Sequence, residues 1–450
     1  VSCGFATTIY AGQNIQVALD EANPGDIIEV KPGEFSPFEV NKPLILKAQG
    51  AAIYAGVQRP AITVNSDNVS ISGFLIQGVG EDFDTKFSFY MNNPLAAATK
   101  LNLPNAAIIV NSNNFSIDNS TILGSQVGIY SNSISSAILK NCVFDGCQTG
   151  VEFLNCIRGC IENCTLINCD KAGLDIDGCN GFTLRNNRVS KTNNAGIMLK
   201  QSELCEVSNN LFSENMEGLV LWNSTLINVS KNIAESNSYG ILISKSNNNT
   251  FLSNLLYDNR QSKIVKGFGV GISLQENSSI NILAGNLAKT SFNGLEVLRG
   301  CKYNMIFGNN ISDNVHGIRM DKCKNNLIYG NYLIRNKINA YENSSRNIWN
   351  TTYGNFYSDY RGEDENGDGI GDTPYYLPGE NSESSDVKPL MQLNNSFSID
   401  VELLRAEAMN STYNLHDNDA KLVSMAEGTI VIQYKKPREP PRWPKAKPLF

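Results

Sequence analysis

One phrase, a glycine followed by alternating apolar residues, returns at a nearly fixed spacing from Val127 to Ala340 and limits what this chain can fold into. It reads Gly128-Ile-Tyr, Gly150-Val-Glu-Phe, Gly173-Leu-Asp-Ile, Gly196-Ile-Met-Leu, Gly218-Leu-Val-Leu, Gly240-Ile-Leu-Ile, Gly271-Ile-Ser-Leu, Gly294-Leu-Glu-Val and Gly317-Ile-Arg-Met. The steps are 22, 23, 23, 22, 22, 31, 23 and 23 residues, and one insertion of about nine residues accounts for the single break. Repetition of this kind is the signature of stacked units, none of which can bury its own interior alone.

Each repeat holds three short apolar pieces separated by Asn, Ser and Gly, as in Gly317-Ile-Arg-Met, Asn326-Leu-Ile-Tyr and Asn331-Tyr-Leu-Ile. Alternation sends one side chain inward and the next outward, as in a strand. A helix fails because the corners leave no uninterrupted stretch of ten or more residues at a 3.6 period, and Asn and Gly recur where a helix would be weakened. Three strands per turn with tight polar corners, stacked in parallel, make an all-β, right-handed parallel β-helix. At ~4.8 Å per rung, roughly thirteen rungs give a rod on the order of 60 Å long.

The 450 residues therefore need no division into globular domains. The reading is a coil over 1–391, with an insertion at 80–105 and an acidic end loop at 354–376, then a β segment at 392–434 and a basic, Pro-rich tail at 435–450. Charged residues are only 18% of the chain, and no apolar run is long enough to span a bilayer. Beginning with Val instead of Met reads as a targeting segment already removed. Thirteen Asn-x-Ser/Thr sequons start at Asn68, Asn114, Asn119, Asn163, Asn223, Asn228, Asn248, Asn277, Asn310, Asn343, Asn350, Asn394 and Asn410. Each is weak alone in so Asn-rich a sequence; together they favour a secreted, glycosylated surface protein.

Gln13 to Ala22 carries Ile15, Ala18, Leu19 and Ala22 on one helical face, which suits a short helix covering the open end of the coil. That capping helix, the run Pro24-Gly-Asp-Ile-Ile-Glu-Val-Lys-Pro-Gly-Glu-Phe and the run Asn68-Val-Ser-Ile-Ser-Gly-Phe-Leu-Ile resemble the NosD-like family of PbH1-type β-helix repeat proteins, common on archaeal and methanogen cell surfaces. The resemblance covers roughly residues 10 to 391. It implies the fold, and it spans copper-delivery accessory proteins, carbohydrate-active enzymes and many surface proteins, so it does not choose an activity.

Several segments break the rhythm. The anchors Ala61 and Ala107 are 46 residues apart, and the extra piece contains Phe83, Phe87, Phe89, Tyr90 and Met91. It reads either as an additional rung against the shaft or as a projecting contact surface. The insertion from Asp258 to Gly269 reads as a loop. Among eleven cysteines, Cys142 and Cys164, Cys147 and Cys169, Cys156 and Cys179, and Cys301 and Cys323 are each one rung apart. Stacked Cα atoms at ~4.8 Å permit disulfides, although parallel Cβ vectors do not favour them, and a ladder of buried thiols is the other reading. The Cys156, Cys160, Cys164 spacing lacks the paired knuckles of a zinc site. The odd count leaves one thiol over, and Cys3 is the candidate for a bond to another subunit.

Near Tyr353 the rungs give way to an acidic loop in which Asp364, Asn366, Asp368 and Asp372 alternate, with the Ile370 carbonyl available and Gly369 permitting a sharp turn. Several hard oxygens round one centre point to structural Ca2+, with an ion-free acidic turn as the other reading. The run also matches the resembled family's end-of-coil motif. Beyond Met391, Phe397-Ser-Ile-Asp-Val-Glu-Leu and Gly428-Thr-Ile-Val-Ile-Gln-Tyr are β-forming runs that can pair with each other or with a neighbour's edge. The final sixteen residues hold six Lys or Arg and one Glu, a charge of +5, so the rest carries -12 of the total of -7. A basic arm ending in Trp443, Leu449 and Phe450 on an acidic body suits self-association, and an acidic body disfavours nucleic acid.

For catalysis, the outward column after the repeat Gly runs Tyr130, Glu152, Asp175, Met198, Val220, Leu242, Ser273, Glu296 and Arg319, and the next adds Asp177, Lys200, Trp222 and Asp321. Glu152, Asp175, Asp177 and Lys200 form an acid/base or sugar-binding patch. The Met, Val and Leu that interrupt the column read as packing, and only two histidines, His316 and His416, are present. Copper delivery finds no Met-rich or His-rich ligand cluster. The expectation is thus a noncatalytic extracellular protein that polymerises into a sheath, filament or surface layer, through Phe83, Phe87, Phe89, Tyr90, Trp443 and Phe450, with cell-wall glycans as a further partner. The alternative is a polysaccharide-binding or polysaccharide-modifying protein of lyase or epimerase type, with copper delivery behind it.

Overall fold

The computed structural model describes residues 6–55, 59–78, 105–260, 267–344, 346–379 and 384–392, and the backbone of 396–399 and 430–433. The expected coil is present as a right-handed parallel β-helix. One wall is a 13-stranded parallel sheet that runs from Phe38–Val40 to Ile338–Asn343. The other two walls are stacks of three-residue strands such as Cys160–Glu162 and Thr165–Ile167, paired in parallel with Thr183–Arg185 and Arg188–Ser190.

Register is kept residue by residue. Val151, Leu174, Ile197, Leu219 and Ile241 stack in the interior, all fully buried, while Glu152, Asp175, Met198, Val220 and Leu242 stack on the outer side of the same strands. A one-residue slip would exchange these columns, so the apolar pattern fixes the pairing. The repeat glycine is required by proximity. A Cβ on Gly128 would lie 2.4 Å from the Gly150 carbonyl oxygen, and one on Gly218 2.6 Å from that of Gly240. The chain bends there so tightly that successive rungs touch through backbone.

The corners are held by asparagine. Asn141, Asn163, Asn186 and Asn209 adopt left-handed backbone, which Asn tolerates better than most residues. Further Asn side chains lie buried between the rungs. Asn232 accepts from the backbone N and the Nδ2 of Asn210, both at 2.9 Å, and donates to the Val207 carbonyl at 2.8 Å. The same pattern recurs at Asn254, Asn286, Asn309 and Asn331. The ladder ends at Asn355, whose backbone N and Nδ2 both donate to the buried carboxylate of Asp386.

The capping helix is shorter than expected, Ile15–Glu21, with Asn14 as its N-cap and Ile15, Ala18 and Leu19 buried. At the other insertion points the stack closes directly. Ile62–Val64 pairs with Ala106–Val110, so the segment between them adds no rung to this sheet, and Tyr239–Ser244 pairs with Val270–Gln275 across the smaller insertion. Ser396–Ile399 and Ile430–Gln433 form the expected small antiparallel pair. Cys3, Phe83, Phe87, Phe89, Tyr90, Asn394, Asn410, His416, Trp443 and Phe450 lie outside the described residues. Among the described residues no helix is long and apolar enough to cross a membrane.

Candidate functional site

The outward patch expected from the sequence is assembled on the 13-stranded wall. Glu152 and Asp175 are register partners on adjacent strands, and Asp177 and Lys200 are partners one column further along. The Lys200 ammonium lies 3.0 Å from Asp175 and 3.2 Å from Asp177, bridging the two carboxylates. Its hydrogen bond goes to Asp175 Oδ2, and Asp175 Oδ1, equally near but poorly aligned, has no hydrogen-bond partner. The three side chains are about a quarter exposed (Lys200 26%, Asp175 21%, Asp177 27%), which leaves them reachable but poorly solvated. Trp222 is Lys200's register partner on the next strand, 37% exposed, with the Lys245 ammonium 5.5 Å from its ring.

Electrostatics separates the carboxyls. Burial raises the Glu152 pKa above the ordinary carboxylate value and the neighbouring Asp175 pushes it further, against the pull of Lys200 and Lys171. Burial also raises Asp175, while the hydrogen bond and charge of Lys200 oppose the rise. Lys200 is itself held charged: burial works against it, but Asp175 and Asp177 outweigh that and raise its pKa. Burial thus inclines both carboxyls to keep their protons, and what distinguishes them is that Asp175 alone takes a hydrogen bond from a cation, Lys200, which favours its charged form.

The other expected site residues fall elsewhere. The ten described cysteines are free thiols, all buried except the half-buried Cys160. The four stacked pairs are not disulfides, because the Cβ vectors of stacked residues run parallel and the thiols turn back along their own strands. Cys142 Sγ donates to the Lys140 carbonyl at 3.0 Å and Cys156 to that of Leu154 at 3.2 Å. Hydrogen bonding from Cys179 draws the Cys156 thiol down to about 7.

The acidic loop folds on itself. Asp364 accepts the backbone N–H groups of Gly367, Asp368 and Gly369, Asn366 accepts that of Asp368, Asp368 that of Ile370, and Asp372 that of Glu365. Asp364, Asn366 and Asp368 are thus gathered on one turn while Asp372 is taken up by the Glu365 N–H, and among the described residues no group of three His, Cys, Asp or Glu is arranged to hold a metal ion. Seven sequon asparagines, Asn68, Asn114, Asn119, Asn163, Asn223, Asn228 and Asn277, are exposed, and Asn248, Asn310, Asn343 and Asn350 are half-buried.

The sequence reading missed a second constellation five rungs on. Glu296 is 1% exposed; it accepts from Ser273 Oγ at 2.7 Å and Asn293 Nδ2 at 2.8 Å, and the Asn293 carbonyl oxygen faces His316 Nδ1 at 2.9 Å. Its sequence signal was the succession of Asn293 and His316 immediately before two consecutive repeat glycines, a position held by Val127, Thr149, Ala172, Ala195, Glu217, Tyr239 and Val270 in the other rungs.

With this geometry in view, residues 201–362 match the family described as periplasmic copper-binding protein (NosD), and residues 105–256 match the right-handed β-helix region. The chain is a right-handed parallel β-helix repeat protein. No curated protein matches the sequence. Among solved structures, the Dettilon tailspike protein is 14% identical with a TM-score of 0.53 over 64% of this chain, which spans only 60% of the tailspike's length. The Azotobacter vinelandii mannuronan C-5 epimerase AlgE4 A-module is 12% identical, TM-score 0.46, over 74% of this chain and 94% of its own. A DFA-IIIase from Arthrobacter chlorophenolicus without its lid is 15% identical, TM-score 0.42, over 69% and 84%. At such identities the likeness is one of fold.

These comparisons overturn the expectation of a noncatalytic shaft. That expectation took the Met, Val and Leu interruptions as a sign of mere packing, whereas a solved coil of similar fold, with a TM-score of 0.53, is a tailspike, not a sheath or filament subunit. Copper does not fit the residues present in the matched region. Cys301 and Cys323 are buried one above the other, Cys205 lies in a different column, and His316 is committed to Asn293 on the outer face, so among the described residues no third ligand joins the stacked thiols.

Proposed function

We propose that this β-helix repeat protein modifies a polysaccharide laid along the outer face of its 13-stranded wall, with Glu152, Asp175, Asp177 and Lys200 as the reacting centre. The observation that carries this is the Lys200 bridge between Asp175 and Asp177, one strand from Glu152 and one strand from the exposed Trp222. Adjacent strands set the backbones of Glu152 and Asp175 ~4.8 Å apart, with both side chains on the same face, a spacing from which the two carboxyls can reach one sugar linkage. Carboxyl pairs roughly 5–5.5 Å apart serve glycosidic cleavage with retention, one as acid and one as nucleophile. In that scheme Glu152 protonates the leaving oxygen as Asp175, beside the charge of Lys200, forms an ester with the sugar carbon; water that gives its proton to Glu152 then displaces Asp175 and restores both groups, while Trp222 supports the apolar face of a sugar ring. A sheath or filament finds no support among the described residues. A polysaccharide substrate suits a secreted or periplasmic location, in line with the exposed sequons.

Screening the full chain against polysaccharides should reveal turnover that Glu152→Gln and Asp175→Asn each lower by about 10²–10⁴. Because Glu152 acts protonated and its pKa is raised, activity should fall as pH rises through that value, and Glu152→Gln should erase this limb. Turnover that survives both substitutions would remove the proposal.

A further inference from the structure

Beyond the carboxylate centre, the same wall carries a line of rings. Tyr239, Phe268, Phe292, His316 and Tyr341 follow one another along the coil at centroid distances of 6.3, 5.4, 5.5 and 6.0 Å. All five are half-buried, neither tucked into the core nor fully solvated. The strand bearing Trp222 is paired directly with the strand bearing Tyr239, but Tyr239 faces Glu217 at the start of that strand while Trp222 faces Ser244 at its end, so the line runs along the opposite edge of the wall from Trp222. We propose that this stripe binds the extended chain of an acidic polysaccharide running parallel to the coil axis. The inference rests on the polysaccharide reading above and names the substrate class.

A purely structural stack is the plainer account of aromatic neighbours, and this molecule contains one for contrast. Phe307 and Tyr329 lie parallel at 5.2 Å and 7°, only 5% and 6% exposed, in an apolar cluster with Met305 and Leu327. The stripe differs in each respect. Its rings are tilted or edge-on, at 41° to 69°, they keep part of their surface open, and Arg319 and Lys337 stand near His316. A sugar ring presents C–H groups on its faces and hydroxyls at its rim, so it packs on such rings while its polar edge meets neighbouring side chains.

At the His316 end charge selects an anion. Burial, then Arg319 and Lys337, lower the His316 pKa, so the ionic groups that act on this ring are both cations. At the other end Tyr239 faces Glu296 and Glu217, carboxyls that burial inclines to keep their protons. Arg319 makes one long hydrogen bond, 3.3 Å to Asp321, and its side chain is 32% exposed, which leaves donors for a ligand carboxylate. His316 is held neutral and in one tautomer. Asn293 donates its amide to Glu296, so its oxygen faces His316 and must accept, placing the proton on Nδ1 and a bare acceptor at Nε2. That ring can stack and accept a sugar hydroxyl without repelling the cations around it.

The test uses the full chain and two probes of equal length, an oligogalacturonate and a neutral cello-oligosaccharide, with binding followed by calorimetry. The oligogalacturonate should bind more tightly, and added salt should narrow the gap. Phe292→Leu and Tyr341→Ala should each weaken binding of the oligogalacturonate roughly tenfold, with Arg319→Gln removing the preference for it. Circular dichroism melts identify any variant that fails to fold, and Arg319→Gln, on the surface, keeps the question open to decision. Equal affinity for both probes, no affinity for either, or affinity indifferent to Tyr341→Ala and Arg319→Gln together would each overturn the stripe. A shift to dimer that masks the stripe would overturn it in favour of a second copy of this chain. Asp175→Asn separates the two proposals: it should lower turnover by the same factor of about 10²–10⁴ and leave binding at the stripe intact, so stripe-dependent binding without any turnover in the native protein defeats the catalytic reading alone.

Discussion

The same corner of the rung is filled by two chemistries along the coil. Ser120, Cys142 and Cys164 occupy it in the early rungs, and Asn187, Asn210, Asn232, Asn254, Asn286, Asn309, Asn331 and Asn355 in the later ones, as the registers of the adjoining strands show. Each asparagine connects three rungs. Asn210 accepts from Asn187, donates to Asn232 and donates to the Leu184 carbonyl at 2.8 Å. Cys164 fills the volume, its Sγ reaching only the Glu162 carbonyl at 3.4 Å, a longer and weaker bond. The later rungs are thus held by directional bonds that fail together, and the early rungs mainly by packing.

The sharpest way to break this contrast is to cut the ladder at its middle. Asn232→Ala leaves the backbone N and Nδ2 of Asn210 and the Val207 carbonyl short of a partner in a dry corner. At about 1–3 kcal/mol per buried group left unpaired, with partial relaxation, the loss should be about 3–5 kcal/mol in urea unfolding. A loss below 1 kcal/mol would mean that water enters the corner and that the two chemistries are equivalent.

The end of the ladder gives the next largest effect. Asp386 is pushed up to about 6 from 3.8, chiefly by burial, while its hydrogen bonds from Asn355, Lys388 and Tyr357 oppose the shift. A carboxyl whose pKa is raised on folding binds its proton more tightly in the native state. Its stabilisation is therefore complete below pH 3.8 and is lost as pH rises through about 6. The change amounts to about 3 kcal/mol. Glu296 and Glu342 are shifted in the same direction, so the measurement is the difference between the native protein and Asp386→Asn in urea unfolding from pH 4 to 7.5. Asn at this position should flatten the profile.

The contrast also explains what was legible from the sequence. The strand period and the 22- or 23-residue step fixed every register, because only one pairing keeps Val151, Leu174 and Ile197 inside. The same arithmetic placed Glu152, Asp175, Asp177 and Lys200 together, since side chains one rung apart must stack. The aromatic stripe was hidden because its members do not keep one repeat position. Tyr239 and His316 precede the repeat Gly directly, Phe292 stands two before it, and Phe268 belongs to the insertion, read only as a loop. Tyr341 enters from the column of Arg319. Which outward face carries function is decided by partial burial and by neighbouring charge, and neither has a period.

In the early rungs the expected losses are smaller. Cys164→Ala removes one sulfur and a weak bond and should cost about 1–2 kcal/mol, as a small cavity does. Cys164→Asn sharpens the test, because it would extend the ladder by one step towards Cys142. If directional bonding is what separates the two regions, Asn at 164 should be more stable than Ala there in urea unfolding. The reverse order would show that packing volume alone governs the corner.

The smallest effect is expected where carboxylates take over the asparagine's task. Asp364 receives three backbone N–H groups in the end loop, as the ladder asparagines receive theirs. Ca2+ at this loop must compete with those bonds and turn Asp372 away from the Glu365 N–H, so much of the gain in coordination is offset. Millimolar Ca2+ should therefore raise the melting temperature only slightly, by about 1–3 °C, and Asp364→Ala should remove the rise. A melt unchanged between Ca2+ and a chelator would leave the loop closed by its own amides, with the later half of the coil ending as it is built, on hydrogen bonds between neighbouring turns.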